Sequence, residues 1–98
     1  MATPEAKVKA KVKKILEEVN CYYFFPATGG FGRSGVPDVI ACASGKFIGI
    51  ECKTVGNEPT ALQKKNLRDI ELNGGLPLVI NEDNVGELKD ILLTWLDD

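Results

Sequence analysis

The sequence contains no histidine, and this absence excludes several common kinds of active site. Without histidine there is no Ser-His-Asp or Cys-His nucleophile, no histidine acid–base catalyst and no histidine-ligated zinc. The cysteines do not supply a substitute, because they are odd in number and none belongs to a C-x-x-C pair. Each lies in an apolar, strand-like run, so we expect buried reduced thiols at Cys21, Cys42 and Cys52 rather than metal ligands or disulfides.

Long hydrophobic runs and a positive net charge are also missing. No stretch approaches the roughly 20 apolar residues of a membrane span, and the basic N-terminal segment has no apolar signal-peptide core. We therefore expect a soluble, cytoplasmic protein that does not bind membranes. The formal charge of −2 does not suit a strongly basic nucleic-acid binder, although residues 1–20 carry five lysines against three acids. Such a basic end fits either an anionic ligand or a solvated helix face.

A chain of 98 residues has the size of one small domain, which we expect to span residues 1–98. Thr3 as N-cap and Pro4 at the first helical position predict a helix that ends near Asn20. The apolar stripe of this helix includes the acid Glu5, while its lysines are expected to point outward. Four strands are predicted: residues 21–25, residues from 38 to a turn at 44–45, residues 47–53 and residues 76–80. Two further helices are predicted, from 60 to 73 and from 84 to 96.

This order of elements predicts a three-layer α/β fold, in which a mixed four-stranded sheet lies between helices. The last two strands are separated by a helix, so they should be parallel with a right-handed crossover. Pro77 near the start of the last strand indicates an edge position, because proline cannot donate a ladder hydrogen bond.

Two neighbouring strands carry charges at ends where buried strands are usually apolar. Asp38 opens one strand, and Glu51 and Lys53 close the next. Because side chains alternate along a strand, Glu51 and Lys53 share a face. A hairpin folded at Ser44-Gly45 brings Asp38 level with Glu51. The alternative interpretation is an exposed ion pair at a strand end, which contributes little.

Two adjacent carboxylates suit Mg²⁺ or Mn²⁺, which prefer oxygen ligands. We hypothesise that Asp38 and Glu51 hold such an ion for phosphodiester cleavage, with the Cys52 carbonyl as a third oxygen ligand. Glu5 is either a further ligand or only a partner of its own helix N-terminus. Lys53 could orient the attacking water or neutralise charge on the phosphate.

The second helix offers one more site candidate and a basic face. Thr60 and Gln63 form a capping box, T-x-x-Q, yet Gln63 also lies on the face turned toward the sheet and could join the site. The glycine-rich loop before Asp38 lacks a P-loop pattern, so no nucleotide cofactor is expected. This loop either closes over a phosphate backbone or merely connects two strands. The candidates for DNA contacts are Arg33, Lys64, Lys65 and Arg68.

Taken together, these residues resemble a known family. Gly35-Val36-Pro37-Asp38, Ile50-Glu51-Cys52-Lys53 and Gln63 resemble the PD-(D/E)XK nuclease superfamily and, more closely, the stand-alone phage and bacterial VRR-NUC (virus-type replication-repair nuclease) domains. The resemblance implies a restriction-endonuclease-like αβββαβ core, here followed by a C-terminal helix, and dependence on Mg²⁺ or Mn²⁺. It implies that Asp38 and Glu51 are metal ligands and Lys53 is the catalytic lysine, with Glu5 and Gln63 at the two remaining positions.

The same resemblance implies a homodimer that acts on branched DNA as Holliday-junction resolvases do, leaving a 5′-phosphate. Three alternatives stay open: a flap- or nick-processing nuclease, a non-catalytic DNA-binding module on the same fold, and a structural or protein-interaction domain. A module without metal binding would be separated from an enzyme by metal titration, and a structural domain would lack salt-dependent DNA affinity.

Overall fold

The computed structural model describes residues 3–27 and 32–97, and it contains a four-stranded sheet with helices on both faces. The elements are α1 (Pro4–Glu18), β1 (Tyr22–Phe24), β2 (Val39–Ala43), β3 (Lys46–Cys52), α2 (Ala61–Leu72), β4 (Leu76–Ile80), a 3₁₀ turn (Val85–Glu87) and α3 (Leu88–Asp97). The predicted mixed sheet flanked by helices is therefore confirmed. Among the described helices, none combines the length and apolar character needed to cross a membrane.

The sheet has the order β1-β2-β3-β4 and mixes strand directions. β2 pairs antiparallel with both β1 and β3, whereas β3 and β4 are parallel, as predicted from the intervening helix. Ser44 and Gly45 have φ values of 52° and 78°, the two positive angles of a type I′ turn, which matches the twist of the hairpin. The register pairs Val39 with Ile50, so the start of β2 lies beside the end of β3.

The two faces of β3 are covered differently. Ile48, Ile50 and Cys52 point into the main core. This core also receives Val8, Val12 and Leu16 from α1 and Leu88 and Leu92 from α3. On the opposite face, a Cβ at Gly49 would lie 2.6 Å from Ile70 Cδ1 of α2. Helices α1 and α3 thus cover one face of the sheet, and α2 covers part of the other.

Three predicted boundaries are wrong by a few residues. Helix α1 ends at Glu18 rather than near Asn20, which has φ 60° and has left the helix. Strand β1 is shorter than residues 21–25. The last helix begins only at Leu88, because Asn81 and Asn84 each donate a backbone N–H to the other's side-chain oxygen, at 2.7 and 3.0 Å, and hold a turn.

Other local predictions are confirmed. Thr3 Oγ1 accepts the backbone N–H of Ala6 at 3.1 Å, so Thr3 is the N-cap of α1. All three cysteines are free thiols. Cys42 departs from the expectation of burial, because it is only partly buried on the less covered face of the sheet.

Candidate active site

Asp38 lies directly before β2 and reaches across to the end of β3. Its Oδ2 atom accepts the backbone N–H of Cys52 at 2.8 Å. A carboxylate that accepts a backbone N–H from the neighbouring strand is held in one orientation. The predicted alignment of Asp38 with the charged end of β3 is therefore present.

Glu51 is the charged residue that the fold buries most, with 2% of its surface exposed. Its Oε1 atom accepts a hydrogen bond from Gln63 Nε2 at 3.3 Å. Its Oε2 atom is buried and has no hydrogen-bond partner among the described residues. An ionised carboxylate oxygen that is buried without a partner lowers the stability of the fold, so the burial of Glu51 indicates a role other than stabilisation.

The electrostatic environment of Glu51 raises its pKa from 4.5 to about 8. Burial is the main cause, followed by the neighbouring carboxyl group of Asp38, whose negative charge disfavours a second charge on Glu51. Two neighbouring carboxylates repel each other when both are ionised, so the pair favours the form in which one carboxyl group is protonated. Lys53 acts in the opposite direction, and Glu5 adds further repulsion. A divalent cation held by the two carboxylates would offset the repulsion between them.

Gln63 performs two roles with different atoms. Its Oε1 accepts the backbone N–H of Thr60 at 2.8 Å, and its backbone N–H donates to Thr60 Oγ1 at 3.2 Å, which completes the predicted capping box. Its Nε2 is left free to donate to Glu51. The start of α2 therefore fixes the amide that orients the buried carboxylate.

Cys52 contributes its backbone to the site and its side chain to the core. The thiol is fully buried on the face covered by α1 and α3. Burial, and then the negative charge of Asp38, raise the thiol pKa to about 12. A neutral buried thiol is a poor metal ligand, so only the backbone carbonyl of Cys52 is a candidate ligand.

Glu5 and Lys53 lie together beside the end of β3. Both are partly buried and line a cavity of about 430 Å³ at the start of α1. Thr54, Asn57 and Glu58 complete the wall from the loop that follows β3. Glu5 adds the weakest of the contributions that raise the pKa of Glu51.

Lys9 is a residue of this site that the sequence interpretation missed. Its ammonium lies 3.5 Å from Asp38 Oδ1, so the prediction that the α1 lysines all point outward is wrong for Lys9. The helical angle did carry a signal, since a position seven residues before Leu16 lies only about 20° from it. Lys9 therefore borders the apolar stripe and can reach the sheet.

Asn66 is a second missed residue, and it positions the loop before Asp38. It is buried, and its Nδ2 donates to the carbonyls of Ser34 at 3.2 Å and of Leu62 at 2.9 Å. Gly35 approaches α2 closely, because a Cβ there would lie 2.6 Å from Leu62 Cγ, and its φ is 77°. These contacts attach the Gly35 segment to α2. No local sequence pattern predicted these contacts, because Ser34 and Asn66 are 32 residues apart.

The four predicted DNA-contacting cations are exposed, but they are not equivalent. Arg33 and Lys65 both contact Asp69 Oδ2, at 3.1 and 3.0 Å. Lys65 lowers the pKa of Asp69, burial opposes this effect, and Arg33 lowers the pKa further. Lys64 lies 3.9 Å from Glu58. Arg33 in the loop and Lys65 on α2 therefore form one basic cluster around a shared carboxylate.

The arrangement offers two carboxylates, a backbone carbonyl and a lysine. Within residues 3–27 and 32–97, no group of three or more Asp, Glu, Cys or His side chains is arranged to hold a metal ion. The pair formed by Asp38 and Glu51 nevertheless fits a hard cation that keeps several waters, since Glu51 Oε2 lacks a partner. The chemistry that such a site supports is metal-assisted hydrolysis.

Comparison with known proteins agrees with this fold. The model of the family described as archaeal Holliday junction resolvase (Hjc) matches residues 7–72, about two thirds of the chain. A solved structure described as a VRR_NUC domain aligns with a TM-score of 0.78 and 23% sequence identity, over 91% of this chain and 97% of that chain. None of the curated proteins matches. The predicted VRR-NUC-type, restriction-endonuclease-like fold is confirmed.

Proposed function

Because the chain belongs to the archaeal Holliday junction resolvase family, we propose that it is a Mg²⁺- or Mn²⁺-dependent endonuclease that hydrolyses phosphodiester bonds in branched DNA. The observation that carries the proposal is the carboxylate pair at the ends of β2 and β3. Asp38 is fixed by the Cys52 backbone, and Glu51 is buried beside it with one oxygen unpartnered. A buried carboxylate of this kind lowers stability, and such groups cluster at functional sites.

Each residue of the site has a proposed role. Asp38, Glu51 and the Cys52 carbonyl would hold the divalent ion, and Glu5 would supply a further acidic group from the first turn of α1. The ion lowers the pKa of bound water and screens the phosphate when it is present. Lys53 donates hydrogen bonds to the phosphate oxygens or to the attacking water. Gln63 holds Glu51 in position through its Nε2.

The hydrolysis joins a water oxygen to phosphorus and breaks the bond between phosphorus and the 3′ oxygen. The products are a 5′-phosphate and a 3′-hydroxyl, which takes up the proton. Arg33, Lys64, Lys65 and Arg68 contact the DNA backbone and position the strand. These contacts give affinity without reading sequence, so binding should weaken as salt rises.

We further propose that the protein acts as a homodimer that joins through the aromatic side of the sheet. Tyr22, Phe24 and Phe47 are 72%, 46% and 45% exposed. The register pairs Tyr22 with Cys42 and Cys42 with Phe47, so these side chains lie on one face. Exposed aromatic side chains gathered on one face are typical of protein interfaces, and a 98-residue chain gains core from a second copy.

Cleavage of a four-way junction with Mg²⁺ or Mn²⁺ tests the enzymatic proposal. Wild type should nick the junction, and Asp38→Ala, Glu51→Ala and Lys53→Ala should each abolish cleavage. The matched controls are Asp90→Ala and Lys89→Ala on α3, which should cleave like wild type. Activity that survives all three site substitutions would overturn the proposal. Binding without cleavage by wild type would indicate the non-catalytic module instead.

Solution mass combined with cleavage mapping tests the assembly. We expect a dimer that makes symmetric paired cuts, whereas Phe24→Ser with Phe47→Ser should give a monomer that makes single cuts. Leu93→Ser on α3 is the matched control, because Leu93 is 44% exposed and lies on the other side of the sheet. A monomeric wild type making single cuts would favour flap or nick processing.

A further inference from the structure

Lys9 and Asp38 form an ion pair at the edge of the carboxylate site. The Lys9 ammonium lies 3.5 Å from Asp38 Oδ1, and the two side chains are 35% and 23% exposed. A second position of α1 therefore reaches the site, one turn beyond Glu5.

The two oxygens of Asp38 have different partners. Oδ2 accepts a hydrogen bond from the Cys52 backbone, which belongs to the sheet. Oδ1 faces Lys9, whose long side chain can leave without disturbing the fold. Oδ1 is therefore the oxygen that can exchange its partner for another cation, and the Lys9 ammonium neutralises its charge.

We propose that Lys9 is a resident counter-ion of the metal site: it neutralises Asp38 when no divalent ion is bound and competes with that ion for Asp38 Oδ1. Lys9 must leave Oδ1, or share it, before the oxygen can ligate a divalent cation. Its charge also opposes the approach of any second cation. Lys9 therefore lowers the apparent metal affinity while reducing the repulsion between Asp38 and Glu51 in the metal-free protein. The inference rests on the proposed function, because it requires Asp38 to be a metal ligand.

Calorimetric titration of Mn²⁺ into the full chain measures this competition without using activity. Lys9→Met keeps the length of the side chain and removes its charge, so we expect Kd for Mn²⁺ to fall about three- to tenfold. Lys9→Arg keeps the charge and should stay within about twofold of wild type. Lys11→Met is the matched control, because Lys11 is exposed on the same helix; it should leave Kd within about twofold as well.

Thermal melting of the same variants separates competition from a merely structural role. Without metal, Lys9→Met should melt below wild type, and saturating Mn²⁺ should raise its melting temperature by more than it raises that of wild type. A structural ion pair would lower the melting temperature and leave Kd unchanged.

The outcomes also separate this inference from the proposed function. If Lys9→Met binds Mn²⁺ no more tightly than wild type while Asp38→Asn abolishes binding, the competing role of Lys9 is overturned and the metal site stands. If neither wild type nor Lys9→Met binds Mn²⁺, both proposals fall. If only Lys9→Met binds measurably, the competition is stronger than expected and the inference is supported.

Discussion

The two faces of β3 show a division between stability and chemistry within one strand. Ile48, Ile50 and Cys52 are fully buried among α1, α3 and the neighbouring strands. On the other face, Phe47 is half exposed and Glu51 is buried as an acid with an unpartnered oxygen. Alternating side chains let one strand serve both purposes, because each face has its own neighbours.

The two faces of β3 have opposite effects on the stability of the fold. Apolar burial on the first face stabilises the protein in proportion to the area removed from water. A buried carboxylate beside a second carboxylate does the opposite, and such sites persist because activity requires them. Changes on the first face should therefore reduce stability, and changes on the second should reduce activity while sparing or improving stability.

Glu51→Gln should give the largest effect. It keeps the shape of the side chain and removes the charge, so cleavage of a junction should fall on the order of a thousandfold or more. The same substitution should raise the melting temperature of the metal-free protein at pH 8, since it removes a poorly solvated charge. Glu71→Gln on the exposed side of α2 is the control, and it should change neither quantity. Unchanged cleavage by Glu51→Gln would contradict the division between the faces.

Ile50→Ala should have the opposite effect, lowering stability while largely preserving cleavage. It removes a fully buried side chain from the core, at a cost of about 3 kcal/mol in the free energy of unfolding. Urea denaturation measures this loss. Cleavage assayed at low temperature, where the variant is still folded, should remain within about tenfold of wild type. A folded variant with no activity would show that the core face also carries the chemistry.

The pH dependence of stability should identify Glu51. Its pKa is raised in the folded protein from 4.5 to about 8, mainly by burial, so the folded state binds a proton that the unfolded state releases. The stabilising effect is complete below pH 4.5 and is lost as the pH rises through about 8. The metal-free wild type should thus lose several degrees of melting temperature relative to Glu51→Gln over this range. A difference between the two proteins that does not vary with pH would contradict the assigned shift.

Two substitutions at the start of α2 should separate capping from catalysis, with the smallest effects. Thr60→Ala removes the cap and should cost about 1 kcal/mol in stability with little change in cleavage. Gln63→Ala removes both the reciprocal bond and the donor to Glu51, so cleavage should fall about tenfold in addition. Equal cleavage by the two variants would show that the contact of Gln63 with Glu51 has no role.

The sequence predicted the parts of the site that local rules determine. Alternation along a strand and the two-residue turn were sufficient to bring Asp38 level with Glu51. The capping pattern predicted the contacts between Gln63 and Thr60, and the helical spacing placed Gln63 on the face turned toward the sheet. These relations depend on neighbours within one hairpin or one helical turn, so no knowledge of the tertiary packing was needed.

What could not be predicted depends on how distant elements pack. Lys9 contacts Asp38 because α1 packs against β3, although its helical position lies just outside the apolar stripe. Asn66 is buried because a loop from 32 residues earlier lies against α2. The exposure of Tyr22 and Phe24 follows from the position of α2, which lies over β3 and β4. Strand propensity alone does not reveal which part of a face stays uncovered.

Paramagnetic broadening of backbone amide signals by substoichiometric Mn²⁺ tests the central claim most directly, because it locates the ion. The amides of Asp38, Glu51, Cys52 and Lys53 should broaden first, and Asp38→Asn should abolish this effect. The amides of α3, which carries its own acidic residues, should stay sharp at the same Mn²⁺ concentration. Broadening that appears first along residues 82–97, with the ends of β2 and β3 unaffected, would contradict a metal site at the carboxylate pair.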